Sequence, residues 1–190
     1  MPAAKGDGVE TLADLLDDGL DVVFVGINPS LYSVAQGHYF ARKTNRFWPC
    51  LSLSVLSAKA RQVLGVERLL PEHDRLMPAL GIGFTDVVKR ATANASALGR
   101  PEFAAGAQEL RAKLGRYRPK VACFHGMMGY RPFAAVLGAP EPRDLGLQAF
   151  RLGPTRVFVV PNPSPANAHF TPAQQTEWYD RLAAMMGGVG

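Results

Sequence analysis

Cysteine is scarce, and what little there is rules out several architectures. Cys50 and Cys123 are the only two, and they stand far apart in the chain. That count leaves no disulfide framework, no CxxC zinc site and no four-cysteine iron–sulfur cluster. Long apolar runs are missing too: nowhere do about 18 apolar residues follow one another. The opening residues, MPAAKGDGVETLADLLDDG, lack the basic-then-apolar order of a secretory signal. A soluble, intracellular protein with no membrane partner is expected, cytoplasmic in location. Three nucleotide and hydrolase fingerprints are absent as well: GxGxxG, the Walker loop and the GxSxG nucleophile elbow. Acidic residues are in the minority, 16 Asp and Glu against 21 Lys and Arg, which gives a net charge of +5. The resulting pI of about 9.5 favours a polyanionic partner through counterion release. Repeats, linkers and long polar tracts are also lacking, so one domain is expected over residues 1–190, with residues 1–10 as a poorly ordered N-terminal tail.

What is present alternates between two periodicities. DVVFV at residues 21–25, VACF at 121–124 and VFVV at 157–160 are short apolar runs, each stopped by glycine or proline, and read as buried strands. Between and after them lie helical patterns. Pro101 opens a segment in which Phe103, Ala107, Leu110 and Leu114 share one face and Gly115 marks the stop. Thr171-Pro172-Ala173-Gln174 has the form of a capping box ahead of Trp178, Leu182 and Met185. Buried strands separated by helices predict an open, mostly parallel α/β sheet covered on both faces. Ligands of such sheets bind beyond the carboxyl ends of the strands. That rule selects three loops: Gly26–Gln36, His125–Gly129 and Pro161–His169.

The first loop, Gly26-Ile27-Asn28-Pro29-Ser30-Leu31, puts an amide directly after a buried strand. Asn28 there reads either as an orienting group for water or substrate, or as an ordinary Asn-Pro turn. Residues 37–48, GHYFARKTNRFW, interleave rings with Arg42, Lys43 and Arg46. A stacking surface beside cations suits an unstacked base, since stacking is worth about 1–3 kcal/mol per base. Phe47 and Trp48 read as core residues opening a helix, which leaves Phe40 as the stacking candidate. In Leu80–Arg90, Asp86 sits between an apolar run and two cations. It reads as a general base or anionic stabiliser, or else as a helix cap or a partner for Lys89 or Arg90. The last loop, Pro161–Phe170, is small and proline-stiffened and runs into the Thr171 helix, which suits close approach to a phosphate backbone. His169 has no partner assigned by the sequence and reads as a surface residue there.

Taken in order, GINPSL, GHYFARKTNRFW, GIGFTDVVKR and NPSPANAHF resemble the motifs of the mismatch-specific uracil-DNA glycosylase and thymine-DNA glycosylase family, over roughly residues 20–186. The resemblance implies a central parallel sheet of about four strands flanked by helices, activity on uracil in DNA, no metal or organic cofactor, and a monomer. It implies that Asn28 positions the attacking water and that Phe40 stacks on the flipped base, in a pocket shared with Ile27, Ser33, His38 and Tyr39. Arg42, Lys43 and Arg46 are expected on the DNA, single- or double-stranded, together with the inserted loop Ser164, Pro165, Ala166, Asn167, Ala168 and His169.

Two departures from the family pattern shape the expectation. The family places a wedge side chain and an arginine in the last loop, where this chain has Ala166 and Ala168, so mismatch preference is expected to be relaxed. Some relatives carry an amide or neutral residue at the position of Asp86, so this chain resembles a branch whose catalytic carboxylate lies there. Breaking the C1′–N1 bond puts positive charge on the sugar, and a carboxylate can stabilise it or take the water's proton. Two other readings stay open at this point: a damage-recognising protein that does not cut, and a small-molecule hydrolase using Ser30 or Ser164 with a histidine and Asp86.

Overall fold

Valine and phenylalanine occupy both faces of the central strands, and that double burial organises the molecule. The computed structural model describes residues 11–187, so the expected tail at residues 1–10 lies outside the described residues. Five strands form one sheet: β1 (Val22–Gly26), β2 (Ile82–Asp86), β3 (Val121–His125), β4 (Gly146–Leu152) and β5 (Thr155–Val160), in the order β2-β1-β3-β5-β4. The expected four-stranded sheet is corrected to five. β2, β1, β3 and β5 are mutually parallel, and β4 is added antiparallel at the edge through the Gly153-Pro154 turn. β4 escapes an apolar-run reading because Gln148 and Arg151 interrupt it, as an edge strand with one solvated side permits.

Alternate residues of each strand feed opposite layers. After β1 come α1 (Leu31–Gln36), α2 (Phe47–Leu53) and α3 (Ala58–Leu64), and Val22, Phe24, Val121, Cys123, Phe158 and Val160 face α2 and α6 (Pro172–Gly187). Val23, Val25, Ala122, Phe124, Val157 and Val159 face α4 (Arg100–Tyr117) and α5 (Met127–Val136). The Thr171 capping box forms as read: Thr171 Oγ1 accepts from Gln174 N at 3.2 Å, and Gln174 Oε1 from Thr171 N at 2.8 Å. The Pro101 helix runs through Gly115 and stops at Tyr117, capped by Arg118 in the left-handed region.

The strand order reverses beside β1, because the chain goes to β2 on one side and to β3 on the other. The crevice at such a switch point lies over the carboxyl ends of β1 and β3. Parallel pairing of β1 with β2 continues past both strands. Val87 N donates to Gly26 O and Val88 N to Ile27 O, each at 2.9 Å, and Thr92 N donates to Pro29 O at 3.2 Å. The loop after β1 is thereby zipped to the loop after β2.

Candidate active site

A cavity of about 510 Å³ opens at that crevice. Of the residues singled out in the sequence, Ile27, Asn28, Ser33, Tyr39, Phe40, Arg42, Asp86, Ser164 and Pro165 line it. His38, Lys43, Arg46, Ala166, Asn167, Ala168 and His169 do not. His125 and Asn162, which lie in loops selected by the strand-end rule but carry no role in the sequence reading, also line it, as do Ser30, Thr44, Asn45, Ala93, Ala95 and Pro163.

Asp86 is the last residue of β2 and pairs in register with Gly26, the last of β1. Its side chain is only 5% exposed. A Cβ on Gly26 would collide with Asp86 Oδ1, so glycine at the end of β1 is what makes room for the carboxylate. Asp86 Oδ2 is buried with no hydrogen-bond partner. The nearest cation, Lys89 Nζ, stands 3.7 Å away, beyond hydrogen-bond distance. Burial therefore dominates and pushes the Asp86 carboxyl up to about 7, against the opposing pull of Lys89. Asp86 caps no helix and is not on the surface: it is a buried carboxyl at a strand end, with Lys89 at ion-pair but not hydrogen-bond distance and Oδ2 without a hydrogen bond.

Lys89 belongs more closely to Asp14. Its ammonium lies 2.8 Å from Asp14 Oδ1 and also donates to Tyr39 Oη at 3.3 Å. Lys113 holds the other Asp14 oxygen at 2.7 Å. Burial would raise the Asp14 carboxyl, but the two lysines and Thr85 outweigh it and hold it low.

Asn28 is oriented by the loop after β2. Its Nδ2 donates to Arg90 O at 2.9 Å and to Thr92 Oγ1 at 2.8 Å. A backbone carbonyl can only accept, so the amide orientation follows from its partners. Both amide hydrogens are committed, and Oδ1 remains as an acceptor for the proton of a water.

The aromatic wall depends on Asp74, which is 1% exposed. Its Oδ1 meets His38 Nδ1 at 3.0 Å, and its Oδ2 accepts from Tyr39 N at 2.9 Å. His38 thus shapes the loop from behind rather than lining the cavity. Phe40 follows in the left-handed region, φ 52°, a conformation costing a non-glycine residue about 1 kcal/mol or more. Its ring stacks on Phe47 with centroids 4.2 Å apart. Phe47 and Trp48 are buried at the start of α2, as expected.

The last loop is braced by Arg46. Its Nη1 donates to Phe170 O at 2.6 Å and to Asn167 O at 3.3 Å, while its backbone N donates to Pro163 O at 3.0 Å. Asn162 Oδ1 accepts from Ser164 N at 2.9 Å, and Asn167 Nδ2 donates to Asn162 O at 3.0 Å. Ala166, Ala168 and His169 are exposed on the outside of this turn. Arg42 lies over the Tyr32 ring at 5.2 Å, at the mouth of the cavity, and Lys43 is exposed beside it.

His125 ends β3 and is 2% exposed. Its Nε2 lies 3.0 Å from Tyr179 Oη, and its Nδ1 is buried without a partner. Burial lowers its pKa to about 3, so the ring is neutral at physiological pH. Among the described residues no group of three or more His, Cys, Asp and Glu could hold a metal ion, and no helix is long and apolar enough to cross a membrane.

A family model describing the uracil DNA glycosylase superfamily matches residues 13–183. Among solved structures, the chain is similar to an NMR structure from Methanosarcina acetivorans described as a "putative Uracil DNA glycosylase", at 20% identity and a TM-score of 0.53. The alignment covers 92% of this chain and 98% of that one. At that identity the likeness speaks for the fold.

Proposed function

The chain belongs to the uracil DNA glycosylase superfamily, and from that premise we propose that it hydrolyses the N-glycosidic bond of uracil flipped out of DNA, through Asp86 and Asn28. The observation that carries this reading is the buried Asp86 carboxyl, its Oδ2 without a hydrogen bond, in the same cavity as an amide whose free atom is an acceptor. A water held by Asn28 Oδ1 attacks C1′ as the C1′–N1 bond breaks. Uracil leaves with the bonding pair as its anion and takes up a proton from solvent, while Asp86 takes the proton that the water sheds. The products are free uracil and an abasic site. In the earlier stages of the reaction the same carboxylate opposes the positive charge growing on the sugar.

Phe40, backed by Phe47, offers a face to the flipped base, and Ile27, Ser33 and Tyr39 close the pocket around it. Arg42 and Lys43 meet backbone phosphates. The Ser164–Ala168 turn, held by Arg46, enters the space that the base has left. Its alanines neither fill a base-sized gap nor read an orphaned guanine, so the opposite base matters little. A monomer acting without cofactor suffices for every one of these roles.

Uracil release from single-stranded and duplex DNA tests the reading. Release of free uracil supports it. Tight binding to uracil-containing DNA without release would favour a damage-recognising relative. Ester hydrolysis with neither would favour the small-molecule hydrolase built on Ser30 or Ser164.

A further inference from the structure

Among the described residues, two buried side-chain atoms lack any hydrogen-bond partner: Asp86 Oδ2 and His125 Nδ1. Both residues line the same cavity. Leaving a buried polar group unpaired is costly, so two such atoms in one cavity are the groups there that gain most from a partner brought in by a ligand. Asp86 is accounted for by the chemistry above, whereas His125 has no role in it.

The hydrogen of the His125 ring can be placed. The Tyr179 phenol is fully buried, and within hydrogen-bond distance its oxygen meets His125 Nε2 at 3.0 Å. A buried hydroxyl needs an acceptor for its hydrogen, so the phenol donates and Nε2 is the bare nitrogen. In a neutral ring the hydrogen then sits on Nδ1. The ring cannot turn to hide it, because it is stacked on Phe24 at 5.2 Å and edge-packed against Phe40 and Phe47 at 5.2 and 5.4 Å. A fixed N–H donor is thereby built into an aromatic wall that holds Phe40.

We propose that His125 is a base-recognition residue whose Nδ1–H donates a hydrogen bond to a carbonyl oxygen of the flipped pyrimidine, with Tyr179 as the positioning residue that keeps the hydrogen on that nitrogen. This rests on the uracil reading above. Uracil offers O2 and O4, both acceptors only, and an unmatched N–H donor rejects a base that presents a hydrogen at that place. Cytosine keeps O2 and replaces O4 by an amino group, so a bond to O4 would also exclude cytosine.

The test uses the whole protein labelled with nitrogen-15 in its histidine rings, titrated with free uracil, 2-thiouracil and 4-thiouracil. The expected result is a His125 ring protonated on Nδ1, whose proton resonance moves with uracil and moves less with one of the two thio analogues. That analogue names the oxygen, because sulfur is the poorer acceptor. In parallel, His125→Phe/Tyr179→Phe keeps both rings and removes the donor and the phenol together. It should remain folded by circular dichroism and release uracil from DNA at least about tenfold more slowly, with the wild-type penalty on the informative thio analogue abolished. Tyr179→Phe alone should leave the ring in a mixture of tautomers. A ring protonated on Nε2, an Nδ1 resonance unmoved by saturating uracil, or a double variant with wild-type rate would overturn the proposal. Uracil release with an unmoved Nδ1 resonance would sink base recognition by His125 alone. A moved resonance with no release from DNA would sink the glycosylase reading and leave the recognition standing.

Discussion

Lys89 Nζ stands 3.7 Å from Asp86 Oδ2 but 2.8 Å from Asp14 Oδ1, so the cation nearest the proposed catalytic carboxyl is committed to another partner. A closer lysine would fix Asp86 as a low-pKa ion pair and a poor base. A missing one would leave it protonated at neutral pH. Burial raises it and a lysine at this spacing only partly offsets that, which puts it near 7, where a general base is most useful.

Single-turnover cleavage should therefore rise with pH through an acid limb near 7. Lys89 lowers the Asp86 pKa and Asp14 raises it. Lys89→Met should move the limb to higher pH. Asp14→Asn should move it lower, both by removing a negative charge and by releasing Lys89 toward Asp86. A pH–rate profile of the three proteins checks the order; limbs that coincide would separate Asp86 from the rate.

The same burial makes Asp86 costly to the fold above neutrality. Its folded pKa of about 7 lies above the ordinary 3.8, so its favourable contribution is complete below that lower value and is lost as pH rises through 7. Asp86→Asn, which stays neutral, should melt higher than wild type at about pH 8, and the difference should shrink toward about pH 5. Thermal denaturation at the two pH values measures it. His125 works in the opposite sense. Its folded pKa of about 3 lies below the ordinary 6.5, so its contribution is present above 6.5 and lost as pH falls toward 3.

Salt dependence should distinguish the three cations near the cavity. Arg42 and Lys43 are exposed, whereas Arg46 donates to Phe170 O and Asn167 O. Arg42→Gln with Lys43→Gln should reduce the slope of log affinity against log salt by up to about 2, near 0.9 per phosphate contact. Arg46→Gln should instead lower the melting temperature and loosen the Pro163–Phe170 segment to proteolysis. Equal slopes in wild type and the double variant would place the DNA path elsewhere.

Opposite-base preference follows from the outside of the last loop. Ala166 and Ala168 are exposed there and offer no wedge. Uracil opposite adenine, and uracil in single strands, should be cut within about tenfold of uracil opposite guanine. Paired single-turnover assays decide it, and exclusive action on the guanine mismatch would refute relaxed preference.

Burial on both faces is what made the core legible in the sequence. β1, β3 and β5 are continuous apolar runs because helices cover each side, and Thr171 and Gln174 sit adjacent enough to read as a cap. β2 was harder to read because Gly83, Thr85 and Asp86 break its apolar pattern, each for a reason outside the strand. Gly83 lets Leu20 and the Leu15 carbonyl approach, Thr85 donates to Asp14, and Asp86 faces the cavity. Cavity-lining residues were legible where a motif held them together, as with Asn28 and Phe40. His125 was not, because its meaning comes from Tyr179, which lies 54 residues away. Its place as the last residue of β3, beside Gly26 at the end of β1, was the available signal. The backbone-carbonyl partners of Arg46 lie more than 120 residues on, and no side-chain pattern in the sequence announces those.

The division of labour between Asp86 and Asn28 is tested most directly by single-turnover uracil release from the wild type, Asp86→Asn and Asn28→Ala on one duplex, with DNA affinity measured alongside. Asp86→Asn is nearly isosteric but takes no proton, and should lose about 10²–10⁴ in rate with affinity nearly unchanged. Asn28→Ala should keep measurable activity, since another acceptor or a second water partly replaces Oδ1. The reverse ranking would return the chemistry to the loop after β1 and leave Asp86 as a buried structural carboxyl.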